Sequence, residues 1–238
     1  MSGIYGICEP GCALPVTMLS PMLEVTRPPE YLGPKVDTSR GALLAVTPRS
    51  RMRTTAILDG LCMALDADFH NYKELANLSE GFPPEDIARA VMRLYQKYGL
   101  GFVQWFDGPF SLALWDAANQ RLILAIDRMG IRSLFWRREK TRILFASQLA
   151  AIRAVQHEPP RVDPFAVMQF FIFAAVPAPL SIDGGTQKIA PGHLLVFEKD
   201  QVKAIRYWDL HYKEEDARNV TAWAEDLRNA LGSAIHPT

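Results

Sequence analysis

The 238-residue chain has no charge of one sign to spare: Lys plus Arg number 26, Asp plus Glu number 26, and the formal net charge is +0. A chain so balanced has no overall electrostatic pull toward nucleic acid or anionic membrane, and neither is expected as a partner. Cysteine is scarce too. Cys8, Cys12 and Cys62 form an odd number, and the four-residue step between the first two has no matching second pair. Neither a disulfide framework nor a zinc site is therefore expected, and a reducing cytosol is the simplest compartment. No run approaches the roughly 20 apolar residues that span a bilayer. The opening Met1-Ser2-Gly3-Ile4-Tyr5-Gly6 lacks the basic and apolar regions of a secretion signal. No glycine-rich phosphate cradle occurs: Gly184-Gly185 lies in a Pro/Asp-rich loop and reads as a turn, so no nucleotide or other cofactor is expected.

What the chain does have is apolar mass. Hydrophobic residues make up 49% and charged ones 22%, enough to bury one large core and to exclude a disordered chain. Ile4, Tyr5 and Ile7, spaced by small glycines, predict a strand almost at the amino terminus, where chains usually fray unless a sheet holds them. Residues 26–34 are proline-rich loop. Short apolar runs at 41–46 and 60–65 predict strands. Ile87, Val91, Leu94, Tyr95 and Tyr98 fall at helical spacing between Pro83-Pro84 and Gly99. Residues 110–115 and 122–126 are apolar on both faces and joined by hairpin-length chemistry, with further strands at 134–136, 143–146, 194–197 and 202–208. Strands apolar on both sides must be covered on both sides, which calls for sheets layered between helices. Residues 163–173 predict a helix whose Phe170, Phe171 and Phe173 belong to the core, and Trp105, Trp115, Trp136 and Trp208 read as packing residues. Val220, Trp223, Leu227, Leu231 and Ile235 recur at helical spacing and define a final amphipathic helix that wants a partner surface.

The order of motifs resembles the class II glutamine amidotransferases, in particular the glutaminase half of asparagine synthetase. Met1-x-Gly3-Ile4-x-Gly6 is similar to that family's opening. Phe106-Asp107-Gly108-Pro109-Phe110-Ser111-Leu112-Ala113-Leu114-Trp115-Asp116 is similar to its LDGMFAFALWD, and Asp127-Arg128-Met129-Gly130-Ile131-Arg132-Ser133-Leu134-Phe135 to its DRLGIKPLY. Phe145-Ala146-Ser147, Val176-Pro177-Ala178-Pro179, Ile189-Ala190-Pro191-Gly192-His193 and Tyr207-Trp208-Asp209-Leu210 follow in the family's order. The resemblance covers residues 1 to about 235. It implies an α+β fold, a four-layer αββα sandwich of the N-terminal-nucleophile type, over residues 1–210. Residues 211–238 would then be a linker helix toward a missing or separate synthetase domain. It also implies glutamine as substrate and ammonia delivery to an ATP-dependent synthetase. In the family the first residue after methionine removal attacks the amide, with its own α-amine as base; such an amine titrates near ~8, close to working pH.

The departures fall where the chemistry would occur. The nucleophile position holds Ser2 in place of Cys; an N-terminal amine can activate a serine, yet Met-Ser is also an ordinary chain start. The oxyanion and substrate segment NGEIYN aligns with Asp66-Ala67-Asp68-Phe69-His70-Asn71. An ionised Asp accepts hydrogen bonds and cannot donate them to a developing oxyanion, and Ala67 replaces a glycine. Pro83-Pro84-Glu85-Asp86 stands at the family's amine anchor, where Glu85 or Asp86 could serve after a one-residue shift. The arginine that would hold the substrate carboxylate aligns with Pro48 or, after a slip, Arg49. The substrate-binding candidates are thus Arg49, Asp66, Ala67, Asp68 and Glu85, with Ser2 the candidate nucleophile. Asp127, Arg128, His70 and His193 read as structural. The expectation is a degenerate glutaminase docked on an amide-forming synthetase; an amidase using Ser2 on an altered amide is the rival, and a homodimer stays open.

Overall fold

The computed structural model describes residues 3–26, 34–47, 52–79, 82–83, 85–212 and 219–235. They fall into two compact units, Met1–Trp208 and Asp209–Thr238. In chain order the first unit comprises β1 (Ile4–Cys8), α1 (Ser20–Val25), β2 (Lys35–Ser39), β3 (Ala42–Val46), β4 (Arg53–Leu58), β5 (Leu61–Ala67), α2 (Tyr72–Leu78) and α3 (Ile87–Tyr98). Then come β6 (Phe110–Asp116), β7 (Arg121–Ile126), β8 (Phe135–Glu139), β9 (Arg142–Ala146), α4 (Leu149–Val155), α5 (Pro164–Phe173), β10 (Thr186–Lys188), β11 (His193–Glu198) and β12 (Gln201–Arg206). The second unit holds α6 (Val220–Ile235).

Two six-stranded sheets form, ordered β10-β8-β9-β1-β3-β2 and β12-β11-β7-β6-β5-β4, with antiparallel pairing throughout. The two-residue period of each strand sorts its side chains into separate cores. Ile4 and Cys8 of β1 join Leu44, Ala64, Trp115, Leu124 and Phe145 between the sheets. Tyr5 and Ile7 point the other way and pack with Met22 of α1 and Ile152 of α4. On the far side Met63, Leu65, Leu112 and Leu114 meet Val91 and Leu94 of α3. Three apolar interfaces require four layers, helix–sheet–sheet–helix, as the doubly apolar strands demanded. This is the αββα sandwich.

Local chemistry sets the element ends. Lys199 and Asp200 both take positive φ (49° and 61°) in the two-residue β11–β12 turn, the geometry that matches strand twist. Gly99 closes α3 at φ 56°. Asp163 caps α5, its Oδ1 accepting from the backbone N–H of Phe165 and Ala166 at 2.8 and 3.3 Å. The sequence pattern missed β2, β4 and β10, which are short or polar edge strands, and it carried the last strand to 208 where β12 ends at Arg206.

Two packing expectations fail. Phe170, Phe171 and Phe173 are 50%, 81% and 60% exposed, because of the apolar α5 residues only Ala166 is buried. A helix apolar all round needs more than one covering neighbour, and the described residues supply too little cover. Trp105 is exposed as well, while Trp115 is buried between the sheets. In the second unit, α6 is capped by Asn219, whose Oδ1 accepts from the Ala222 N–H at 2.9 Å, and none of its side chains is buried.

Candidate active site

β1 is central in its sheet, and Gly3 and Ile4 are held at a fixed point there. The Gly3 N–H donates to Thr47 Oγ1 at 3.0 Å, and Thr47 N–H donates back to Gly3 O at 3.1 Å. Ile4 N–H donates to Ser147 Oγ at 3.0 Å, and Ser147 N–H to Ile4 O at 2.9 Å. Glycine is needed because the neighbours come so close. A Cβ on Gly3 would sit 2.3 Å from Ser147 Cβ, and one on Gly6 would sit 2.1 Å from Phe145 Cζ. The Gly-Ile-x-Gly opening and the Phe-Ala-Ser element, 139 or more residues apart in the chain, are two sides of one contact.

The second motif pair also meets in space. Asp66 and Ala67 end β5, and the chain then turns along residues 105–110. Asp68 N–H donates to Pro109 O at 2.8 Å, and His70 N–H to Asp107 O at 2.9 Å. Asn71 donates from Nδ2 to Trp105 O at 2.9 Å and accepts Asp107 N–H on Oδ1 at 3.2 Å. Gly108, at φ 121°, passes so near this segment that a Cβ would lie 2.3 Å from Asp68 O.

Asp66 is buried at 2% exposure, in register with Arg53 on one side and Ser111 on the other. Its Oδ1 lies 3.8 Å from Arg132 Nη2, close enough for charge attraction and too far for a hydrogen bond. Ala67 is buried and its N–H is occupied, donating to Met52 O at 3.2 Å. Its φ is not positive, so alanine is unstrained at this position. Asp68 and Glu85 are exposed, Glu85 in the turn before α3. Asp66, Ala67 and Asp68 are therefore contiguous at one strand end, whereas Ser2, Arg49 and Pro84 lie outside the described residues. His70 is exposed, and it is its backbone N–H that bonds to Asp107 O.

Asp127, read as structural, has a definite task. Its buried carboxylate accepts four backbone N–H groups, from Phe110 (3.4 Å), Met129 (3.1 Å), Ile131 (2.9 Å) and Arg132 (2.9 Å). Three of these donors belong to the Asp127–Arg132 turn and fix it, and the Phe110 N–H ties it to β6. Next to it, Tyr207 donates from its hydroxyl to Ile126 O at 2.7 Å; burial, with the nearby Asp127 charge, raises its pKa. Sequence reasoning missed Thr47, Ser147 and Arg132 as site-shaping residues. Ser147 and Arg132 lay inside recognised motifs, so the signal was present without a role attached. Among the described residues no group of His, Cys, Asp or Glu could hold a metal ion.

An αββα sandwich of two antiparallel sheets, with Gly3 and Ile4 bonded to Thr47 and Ser147 at the start of a central strand, has the architecture of a class II glutamine amidotransferase domain of the N-terminal-nucleophile type. The chain belongs to the glutamine amidotransferase domain family, whose model matches residues 48–208. It is 29% identical over 178 residues to the amidase chry2 of Gibberella zeae, covering 71% of this chain and 25% of that protein. It is 30% identical over 139 residues to asparagine synthetase [glutamine-hydrolyzing] 3 of Bacillus subtilis, covering 58% of this chain and 23% of that one. Among solved structures, the glutamine phosphoribosylpyrophosphate amidotransferase of B. subtilis superposes with a TM-score of 0.58 at 15% identity, over 87% of this chain and 49% of the other. That likeness concerns the fold. The chain spans about a quarter of the length of the curated relatives it matches.

Proposed function

We propose that this asparagine-synthetase-like amidotransferase domain hydrolyses glutamine weakly or not at all, and that it acts by docking on an ATP-dependent amide-forming synthetase, as a domain or a separate chain, in the cytoplasm. The observation that carries the reading is Asp66: a buried carboxylate stands at the strand end where the family resemblance implies an amide donor. An anion in formation there meets an acceptor, and losing one such donor costs ~2.7–4 kcal/mol of transition-state stabilisation. The neighbouring Ala67 N–H is already committed to Met52 O. Docking is supported by two exposed apolar faces, on α5 and on α6, with residues 211–238 acting as the linker toward the synthetase.

A second reading has its own support. Two relatives, chry2 of G. zeae and chyE of Penicillium rubens, are named amidases, and in this reading Ser2, freed of Met1, attacks an altered amide with its α-amine as base. Glutamate release from glutamine, measured on protein whose amino terminus is verified by intact mass, separates the two. Degeneracy predicts negligible release by the native chain and a rise of about 10²-fold in Asp66→Asn. Robust turnover by the native chain that disappears in Ser2→Ala would overturn it.

A further inference from the structure

Beside the β5 end, the Asp127–Arg132 turn, the segment after α5 and the start of the Pro191 turn line a half-open cleft of about 250 Å³. Its lining is chemically lopsided. Two cations, Arg132 and Lys188, share it with apolar Phe135, Val176, Ala178 and Ile189, and among the described residues no acidic side chain lines it. Both cations are held in place by identified contacts. Asp127 accepts the Arg132 backbone N–H at 2.9 Å, which fixes the root of the side chain. Lys188 Nζ donates to Val176 O at 2.7 Å and lies 5.6 Å from the Phe135 ring centre, leaving two of its three N–H groups unassigned by that bond.

Arg132 has one weak ion pair, Nη2 to Asp66 at 3.8 Å, with a carboxylate outside the lining, and its Nε is buried with no hydrogen-bond acceptor among the described residues. A buried donor without an acceptor is costly unless something else supplies one. The Arg132 side chain remains 30% exposed, so a solute can reach it. Burial lowers the Lys188 pKa, which agrees with an ammonium that gains from an anionic neighbour.

We propose that this cavity binds a small amphipathic monocarboxylate, with the acid group on the Arg132 fork, Lys188 adding long-range attraction, and a branched or aromatic tail against Phe135, Val176 and Ile189. A planar guanidinium matches a carboxylate bidentately, which a point charge does not. The volume lies just below the ~300–1,000 Å³ of typical ligand pockets, so the occupant is of amino-acid size. The proposal needs no turnover of glutamine and stands whether or not Ser2 is active.

The test is titration of the full chain with 3-methylbutanoate and 3-phenylpropanoate, and with their primary amides as uncharged controls, followed by isothermal calorimetry and by backbone amide shifts. The acids should bind, weaken with added salt, and shift resonances at 132–135, 176–178 and 188–189; the amides should bind at least about tenfold more weakly. Arg132→Met should lose about tenfold in acid affinity, while Arg93→Met on α3 leaves it unchanged. If Arg132→Met does not fold, Arg132→Lys retains the charge without the fork and should still weaken binding. Acid and amide binding alike, wild-type affinity in the folded Arg132 variant, shifts confined to other regions, or no binding at all would each overturn the proposal.

Discussion

Gly3 has neighbours that leave no room for even a methyl group. Ser147 Cβ would stand 2.3 Å from an added Cβ, inside any real contact distance, and Ser147 is backbone-bonded to Ile4, so it cannot step aside cheaply. Gly3→Ala should therefore destabilise the domain by about 1–3 kcal/mol, read as a lower urea midpoint, and Ser147→Gly in the same chain should recover part of it. An unchanged midpoint would show that the chain start is less tightly clamped than these distances say. At this scale the sequence was informative in an indirect way. The motifs at 3–6, 106–116, 127–135 and 145–147 are visible as strings, but their role as mutual contacts is not, because the partners lie far apart in the chain. Asp66 is visible in the sequence as an acid at the position where the family resemblance implies an amide. That Ala67 spends its N–H on Met52 was not, since it depends on where β4 begins.

Among the elements, the β6–β7 hairpin shows how polar groups fasten an apolar sheet to its helix. Asp116, only 5% exposed, accepts from Tyr95 of α3 at 2.9 Å and from the Asn119 side chain and backbone at 2.7 and 3.1 Å. Burial opposes its ionisation, but the Asn119 and Tyr95 hydrogen bonds and the charge of Arg121 outweigh it and hold the carboxyl below the ordinary value. Tyr95 is pushed the other way, to about 12, by burial and by its bond to Asp116. The folded state thus binds the Asp116 proton less readily than the unfolded chain, where Asp titrates near ~3.9. The resulting stability is complete above that value and is lost as pH falls through the lower folded pKa. Asp116→Asn should cost about 1–3 kcal/mol at pH 7, and its deficit against the native chain should shrink as unfolding is measured at progressively more acid pH below about 4. A deficit constant with pH would assign the effect to packing. Helix α5 carries the opposite lesson. Asp163-Pro164 and the absence of breakers made the helix readable, yet its environment was misjudged, because composition says that a face is apolar and not that something covers it.

For the molecule as a whole, the feature left unexplained within either unit taken by itself is exposed apolar surface. Phe171 and Phe173 stand 81% and 60% exposed in the first unit, and Trp223, Leu227 and Leu231 are exposed in the second. Replacing Phe171 and Phe173 together by Ser should leave the domain's unfolding midpoint within about 0.5 kcal/mol per site, since little burial is lost. If the proposed docking holds, the same variant should bind a purified ATP-dependent amide-forming synthetase chain more weakly by calorimetry. Equal affinity would remove α5 from the docking face. A midpoint that falls steeply would show that α5 is covered within the domain. Among the described residues no helix is long and apolar enough to cross a membrane, so these faces are not accounted for by a helical span.

The sequence by itself determined the layered architecture, because strands apolar on both faces can be satisfied only between covering layers, and a two-residue period directs alternate side chains to opposite cores. It also determined the family, through motifs whose order survives even where pocket residues differ. Only the tertiary structure decided which carbonyl takes the Ala67 N–H, that Arg132 is aimed at Asp66 and a cation-lined cavity, and that α5 is uncovered. Those outcomes depend on distances between segments remote in the chain, which local propensity and spacing do not encode.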